Sequence, residues 1–293
     1  MSLIAQLTIN GLIAGSIYAL VASGFSLIYS TNKFVHFGHG ISIVLSAYFV
    51  YLAFVLLGLP FYLAVLLTLI FSGLFGLAIN RLIYIPLQNK KASNAILLMA
   101  SIGILILFQN IIQLFFGADV KTIGYIKVAR GIDFLGAVIT PLQIMLIVVS
   151  LVLLVLLYLF MKKTRLGRNM RAVSDNKELA NVIGIDSKRI SDYSFILGSM
   201  LAGIAGILIG LEQNLEPAMG TSLMVKGFTG AIVGGVTSVP GSVLGSYLLG
   251  LVENYGIWYL PSGYKDAIAF VLLFIFLLFK PNGLFGINKG HKK

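Results

Sequence analysis

Long uncharged apolar blocks, separated by short polar punctuation, run through the chain and are too uniform for the core helices of a water-soluble domain. A helix needs roughly 20 apolar residues to cross a hydrocarbon layer about 30 Å thick. Residues 3–29 meet that length without a charge, yet they carry Gln6, Asn10, Ser16, Ser23 and Ser26, too many polar groups for lipid on every side. Gly11 and Gly15 give the same block a small-xxx-small face for close approach of another helix. Residues 31–40, with Lys33, His36 and His39, read as a membrane-edge or re-entrant segment before further spans at 41–57, 61–85 and 95–116. Residues 117–140 are mixed in charge and read as an external connection. The next block, 142–161, is almost pure Leu, Val and Ile, the composition of a peripheral helix against lipid.

After a polar loop at 162–192, a sixth span is expected at 193–211, with Gly198, Ala202, Gly206 and Gly210 at four-residue spacing for tight packing. Residues 226–256 are studded with glycine, and Val239, Pro240 and Gly241 interrupt them, which predicts two short helices or one broken helix. Irregular backbone at membrane depth is tolerated only where protein or a wet cavity covers it, so this stretch points to a translocation path. A last span is expected at 266–279. The pattern as a whole predicts an all-α, polytopic integral membrane protein with about 8–9 transmembrane helices, including broken or re-entrant segments, in one domain over residues 1–293.

Composition agrees, since 58% hydrophobic and 11% charged residues at a mean hydropathy of +0.99 exclude a soluble domain, where about 25% are charged. The net charge of +11 sits mostly in loops and in the tail with Lys280, Lys289, Lys292 and Lys293. It therefore reads as the positive-inside bias, with contact to membrane lipid and not to nucleic acid. Cytoplasmic ends at Lys90, Lys163 and Lys280 place the N-terminus outside by parity. That terminus lacks a basic leader and a small-residue cleavage site, so a retained span is expected. With no cysteine there is neither disulfide nor thiolate metal site, and His36 and His39 have no third ligand nearby in sequence, so no metal is expected.

The loop holds eight Lys or Arg and four Asp or Glu, the one long stretch built for water. Ser174, Asp175 or Asn176 can cap a helix starting near Lys177, Glu178 in its first turn suits the helix dipole, and Gly184 stands where the helix should stop. A helix of about two turns is marginal alone. Its apolar residues Leu179, Ala180, Val182, Ile183 and Ile185 therefore call for a partner surface, and a soluble subunit is the natural candidate.

Glu178-Leu179-Ala180, with Gly184 after three further residues, resembles the EAA-x-x-x-G signature of ABC-importer permeases, with Leu179 where Ala is usual. The longer stretches NGLIAGSIYALVASGFSLIYSTNKFVHFGHG, RLGRNMRAVSDNKELANVIGID and GGVTSVPGSVLGSYLLGLVEN are similar, in that order, to LivH-type permeases of branched-chain amino-acid ABC importers. Around His36 and His39 the chain departs from the Asn-Phe-Ala-His-Gly form of relatives. The resemblance implies a non-catalytic transmembrane subunit of a bacterial or archaeal cytoplasmic (inner) membrane, with no cofactor of its own. It also implies a companion M-type permease, two cytoplasmic ABC ATPase subunits that act on ATP and Mg, and an extracytoplasmic substrate-binding protein. Consistently, no G-x-x-x-x-G-K-[ST] phosphate loop occurs in the chain.

On this reading the ATPase-coupling residues are Arg171, Asp175, Asn176, Glu178, Ala180 and Gly184. The translocation path is expected along Asn10, Ser16, Ser23, Asn32, Gly230, Gly234 and Gly235, because a zwitterion leaving water needs transient hydrogen-bond partners. Each of these can equally be helix-packing glue. Two alternatives stand beside the leading reading. One is a related importer for urea, amides or sugars; the other is an ion-coupled secondary transporter, for which Glu253 is the acidic candidate inside apolar sequence. Glu253 reads more simply as an interfacial residue or the packed partner of a hydroxyl.

Overall fold

In this computed structural model, residues 3–125, 131–134 and 136–285 are described, so the tail lysines 289, 292 and 293 lie outside the described residues. Helix α1 (Leu3–Asn32) is the hub: its serines and glycines are buried almost along its full length, as its polarity requires. Helix α2 (His39–Tyr51) ends in a π-helical turn at Leu52–Leu56. Helix α3 (Phe61–Ile79) passes through a second π turn, Asn80–Tyr84, into the short α4 (Ile85–Asn89). Then come α5 (Asn94–Phe116), a small antiparallel hairpin of β1 (Ile132–Phe134) and β2 (Ala137–Ile139), and α6 (Pro141–Lys163). The polar loop folds into α7 (Arg165–Asp175) and α8 (Lys177–Val182) before α9 (Ser187–Glu212). Helices α10 (Met219–Gly234) and α11 (Val239–Gly256) form a V bent by 116°, and α12 (Lys265–Phe279) is the last helix among the described residues. Among the described residues, seven helical stretches are long and apolar enough to cross a membrane, besides the bent pair.

One sequence expectation narrows and another changes. Of the membrane-edge and re-entrant readings of residues 31–40, the helices favour the first: α1 continues to Asn32, Lys33 takes a left-handed turn at φ 61°, and α2 starts at His39. His36 and His39 are both buried in that turn, and His36 Nδ1 lies 2.7 Å from the Tyr84 hydroxyl. The break in the glycine-rich stretch falls at residues 235–238, not at Val239-Pro240-Gly241. Proline is well accommodated in the first turn of a helix, where its missing N–H has no partner to lose. Here Ser238 caps α11 by accepting from Gly241 N at 3.2 Å, and Gly235 at φ +111° makes the corner.

Close packing explains the glycines. A Cβ on Gly250 would run into the backbone of Gly11 and Gly15, and one on Gly15 into Tyr247, so α1 and α11 touch backbone to backbone. On α9, Gly198 meets Ile28 and Gly24 of α1, and Gly206 meets the Ile43 carbonyl of α2. By contrast α6 exposes Leu151, Val152, Val155 and Leu156, the lipid-facing character its composition predicts.

Long-range hydrogen bonds sort the connections into two ends. Gln6 exchanges two bonds with Val138, at 3.1 and 2.9 Å, and Lys121 pairs with Leu215, so the start of α1, the hairpin and the turn after α9 share one end. At the other end Ser191 Oγ donates to Asn32 Oδ1 at 2.6 Å beside the polar loop. The tip of the V is there too: Ser26 Oγ donates to Val236 O at 2.7 Å, and Phe285 N to Gly234 O at 3.0 Å. Lys33, Arg81, Lys90, Lys91 and the eight basic residues of the loop gather at this second end.

Candidate functional site

The polar loop is a braced structure with one unbraced face. Thr164 caps α7 by accepting from Gly167 N at 3.0 Å, and Gly167 lies flat on the backbone of Phe160 and Met161, where a Cβ would collide. Helix α7 is amphipathic; its Met170 and Val173 join Leu27, Ala180 and Ile190 in a small core that seats the loop on α1 and α9. Asn176 then caps α8, its Oδ1 accepting from Glu178 N and Leu179 N, both at 3.0 Å. At the far end Ile185 N donates to Ala180 O at 2.9 Å and Gly184 N to Asn181 O at 3.1 Å, with Gly184 at φ +89°. This is the paired-bond stop that favours glycine, because an L side chain is strained in that region. Asp186 caps the next helix through Lys188 N and Arg189 N.

The larger apolar residues of α8 point outward, beside the exposed Lys177, Glu178 and Asn181. Leu179, Val182 and Ile183 are 62, 82 and 72% exposed, while Ala180 points into the core. Asn176, Ala180 and Gly184 thus hold the helix in place, Glu178 stands exposed in its first turn, and the three larger apolar residues form its free face. Arg171 and Asp175 lie elsewhere: with Lys162 they line a cavity of about 450 Å³ against Thr237 and Ser238 at the tip of the V.

Behind α8 the loop is tied to the bundle by charge. Asp192 near the start of α9 accepts from Asn80 Nδ2 at 2.8 Å and pairs with Arg81 at 2.8 Å. Both donors sit in the π turn of α3, and such turns are frequent at functional sites.

The polar residues expected along a path are in seams between helices. Asn10 accepts from Gln6 at 3.1 Å; Ser16 donates to Leu12 O and shares a 3.0 Å bond with the Tyr247 hydroxyl; Ser23 donates to Leu20 O. Asn32 donates to Ile28 O and accepts from Ser191. A Cβ on Gly230 would meet Ser246, and one on Gly234 the Gly241 carbonyl, so these two bring α10 onto α11. Gly235 forms the corner.

One charged group escaped sequence reasoning. Lys226 lies in α10, with Nζ 2.9 Å from Asp266 Oδ1 and 3.7 Å from Glu253 Oε2. Tyr18 donates to the same Glu253 oxygen at 2.9 Å, so Glu253 is indeed the packed partner of a hydroxyl. The missed signal was Lys226 itself, a lone cation amid small and apolar residues.

A family model described as "Branched-chain amino acid transport system / permease component" matches residues 7–277. The high-affinity branched-chain amino acid transport system permease protein BraD of Pseudomonas aeruginosa is 33% identical, covering 96% of this chain and 95% of its own. The corresponding protein LivH of Escherichia coli is 30% identical over the same shares. A probable LivH of Methanocaldococcus jannaschii is 28% identical, over 95% of this chain and 91% of its own. Among solved structures, PsaBC from Streptococcus pneumoniae in complex with Fab superposes at a TM-score of 0.52 with 15% identity, covering 93% of this chain and 91% of that one. At that identity the likeness is one of fold.

Proposed function

The chain belongs to the permease-component family of branched-chain amino acid transport systems, and from that premise we propose that it is the membrane-spanning permease subunit of an ATP-driven importer of branched-chain amino acids. A partner ATPase hydrolyses ATP with Mg; this chain binds no cofactor and supplies the path and the docking point. The amino acid arrives from an extracytoplasmic binding protein, and a companion permease completes the core. The basic end of the bundle faces the cytoplasm, where positive charge accumulates in loops.

The observation that carries the mechanism is the exposed apolar face of α8, Leu179, Val182 and Ile183, on a helix capped at both ends and seated on α1 and α9. A short helix of this kind transmits displacement as a unit, since its caps resist fraying. Its foundation, the Asp192 clasp to α3 and the small core under Ala180, hands that displacement to α1, α3 and α9. ATP-driven closure of the ATPases then biases the bundle between outward and inward openings.

The test is copurification with the ATPases, followed by uptake into vesicles supplied with the binding protein. Val182→Asp is expected to abolish ATPase association and uptake while the permease still folds. Retention of both would remove α8 as the docking point.

A further inference from the structure

Lys226 lies about 10 Å along α10 from its start, a depth at which a cation is costly and, where present, usually serves a function. Its two carboxylate partners are unequal. Glu253 is fully buried and fixed by Tyr18, whereas the Asp266 side chain at the start of α12 is 59% exposed. The Lys226–Asp266 pair stands in the lining of a cavity of about 310 Å³ between α10 and α12, near the small end of the range for ligand pockets, roughly 300 to 1,000 Å³. Thr221 and Ser222 add hydroxyls to it, and Val225, Ala269 and Phe270 give it an apolar wall. Ionisable residues within spans face the bundle interior or a wet cavity, and the ion pair here sets that requirement for this face.

We infer that this cavity is a site for the amino-acid zwitterion during passage, with the ligand's carboxylate on Lys226, its ammonium on Asp266 and its aliphatic side chain against Val225 and Phe270. The chemistry is an exchange of partners. Entry of the ligand between Lys226 and Asp266 replaces one ion pair by two, adds no net charge, and leaves neither protein charge unpaired, which is what a buried charge requires. Glu253, 3.7 Å from Lys226, compensates the ammonium while Asp266 turns to the ligand.

This inference rests on the amino-acid permease reading, and the test separates the two. The complete transporter is reconstituted in nanodiscs without binding protein, and equilibrium binding is measured for radiolabelled leucine, for isopentylamine, which lacks the carboxylate, and for α-ketoisocaproate, which lacks the ammonium. Asp266→Asn is expected to weaken leucine about tenfold to a hundredfold, the loss of one charge-assisted bond, and not to weaken the keto acid, whose anion no longer competes with Asp266 for Lys226. Lys226→Gln is expected to weaken leucine likewise and not to weaken isopentylamine, whose ammonium no longer competes with Lys226 for Asp266. Parallel weakening of leucine and the keto acid by Asp266→Asn, no weakening of leucine, or no leucine binding by the unaltered complex each overturns the site. If Lys226→Gln fails to assemble, the surface-exposed Asp266→Asn decides alone. Uptake by the unaltered transporter, supplied with the binding protein in vesicles, tests the permease reading separately: without amino-acid uptake that reading fails, and with uptake but without the analogue split only the site fails.

Discussion

Asp192 and Arg81 share an ion pair but not its consequences. Asp192 is buried and receives both Asn80 and Arg81, while the Arg81 side chain is mostly exposed. Removing the carboxylate strands the buried Asn80 amide, at about 1–3 kcal/mol, whereas removing the guanidinium leaves Asp192 with Asn80 and water. Asp192→Ala should therefore lower the melting temperature in detergent clearly more than Arg81→Ala. Equal losses would show that the clasp acts through Arg81. Gly234 makes a second residue-scale case, since a Cβ there meets the Gly241 carbonyl, which is backbone and cannot swing aside. Gly234→Val should destabilise by about 1–3 kcal/mol through overpacking, read as an earlier thermal transition. Gly184→Ala differs in kind. Nothing lies near its Cβ, so its cost is the strain of positive φ, confined to the end of α8.

Among the helices, α8 was the most legible from sequence. Asn176 before Glu178 and Gly184 after Ile183 are local signals, and the caps sit where they point. Asn176→Ala should cost about 1 kcal/mol of local helix stability, seen as faster amide exchange over Lys177–Val182 with unchanged exchange in α9. Helix α7 was not foreseen. Its signal was in the sequence: Leu166, Met170 and Val173 are spaced four and three residues apart, on one face of a helix whose other side is basic. The corner of the V was misplaced for a different reason: Pro240-Gly241 breaks structure in isolation but suits a first helical turn, and only the Ser238 cap decides between the two. The membrane spans were legible within a few residues because apolar length is a one-dimensional quantity. The Lys226 cluster was not, since it joins α1, α10, α11 and α12 across most of the sequence.

At the scale of the molecule, the bundle separates a basic end, with the loop, the tip of the V and the ends of α1 and α12, from an end that carries Asp119, Asp133, Glu212 and Glu216. Because the chain contains no cysteine, single replacements can be labelled without removing native thiols. With an impermeant maleimide on intact cells, Asp119→Cys and Glu216→Cys should react, and Glu178→Cys only after permeabilisation. The reverse pattern would invert the topology and move the exposed apolar face of α8 outside.

The bent pair also bears on how the protein is made. Helix α10 has 16 residues and α11 has 18, at or below the short end of the roughly 17 to 25 that span a bilayer, and both are rich in glycine. Entry of the two as one hairpin that then packs against α1 is the expected route. Synthesis that stalls between them would leave α10 at the membrane surface. The final architecture around α1 is therefore completed only after the last third of the chain has been made.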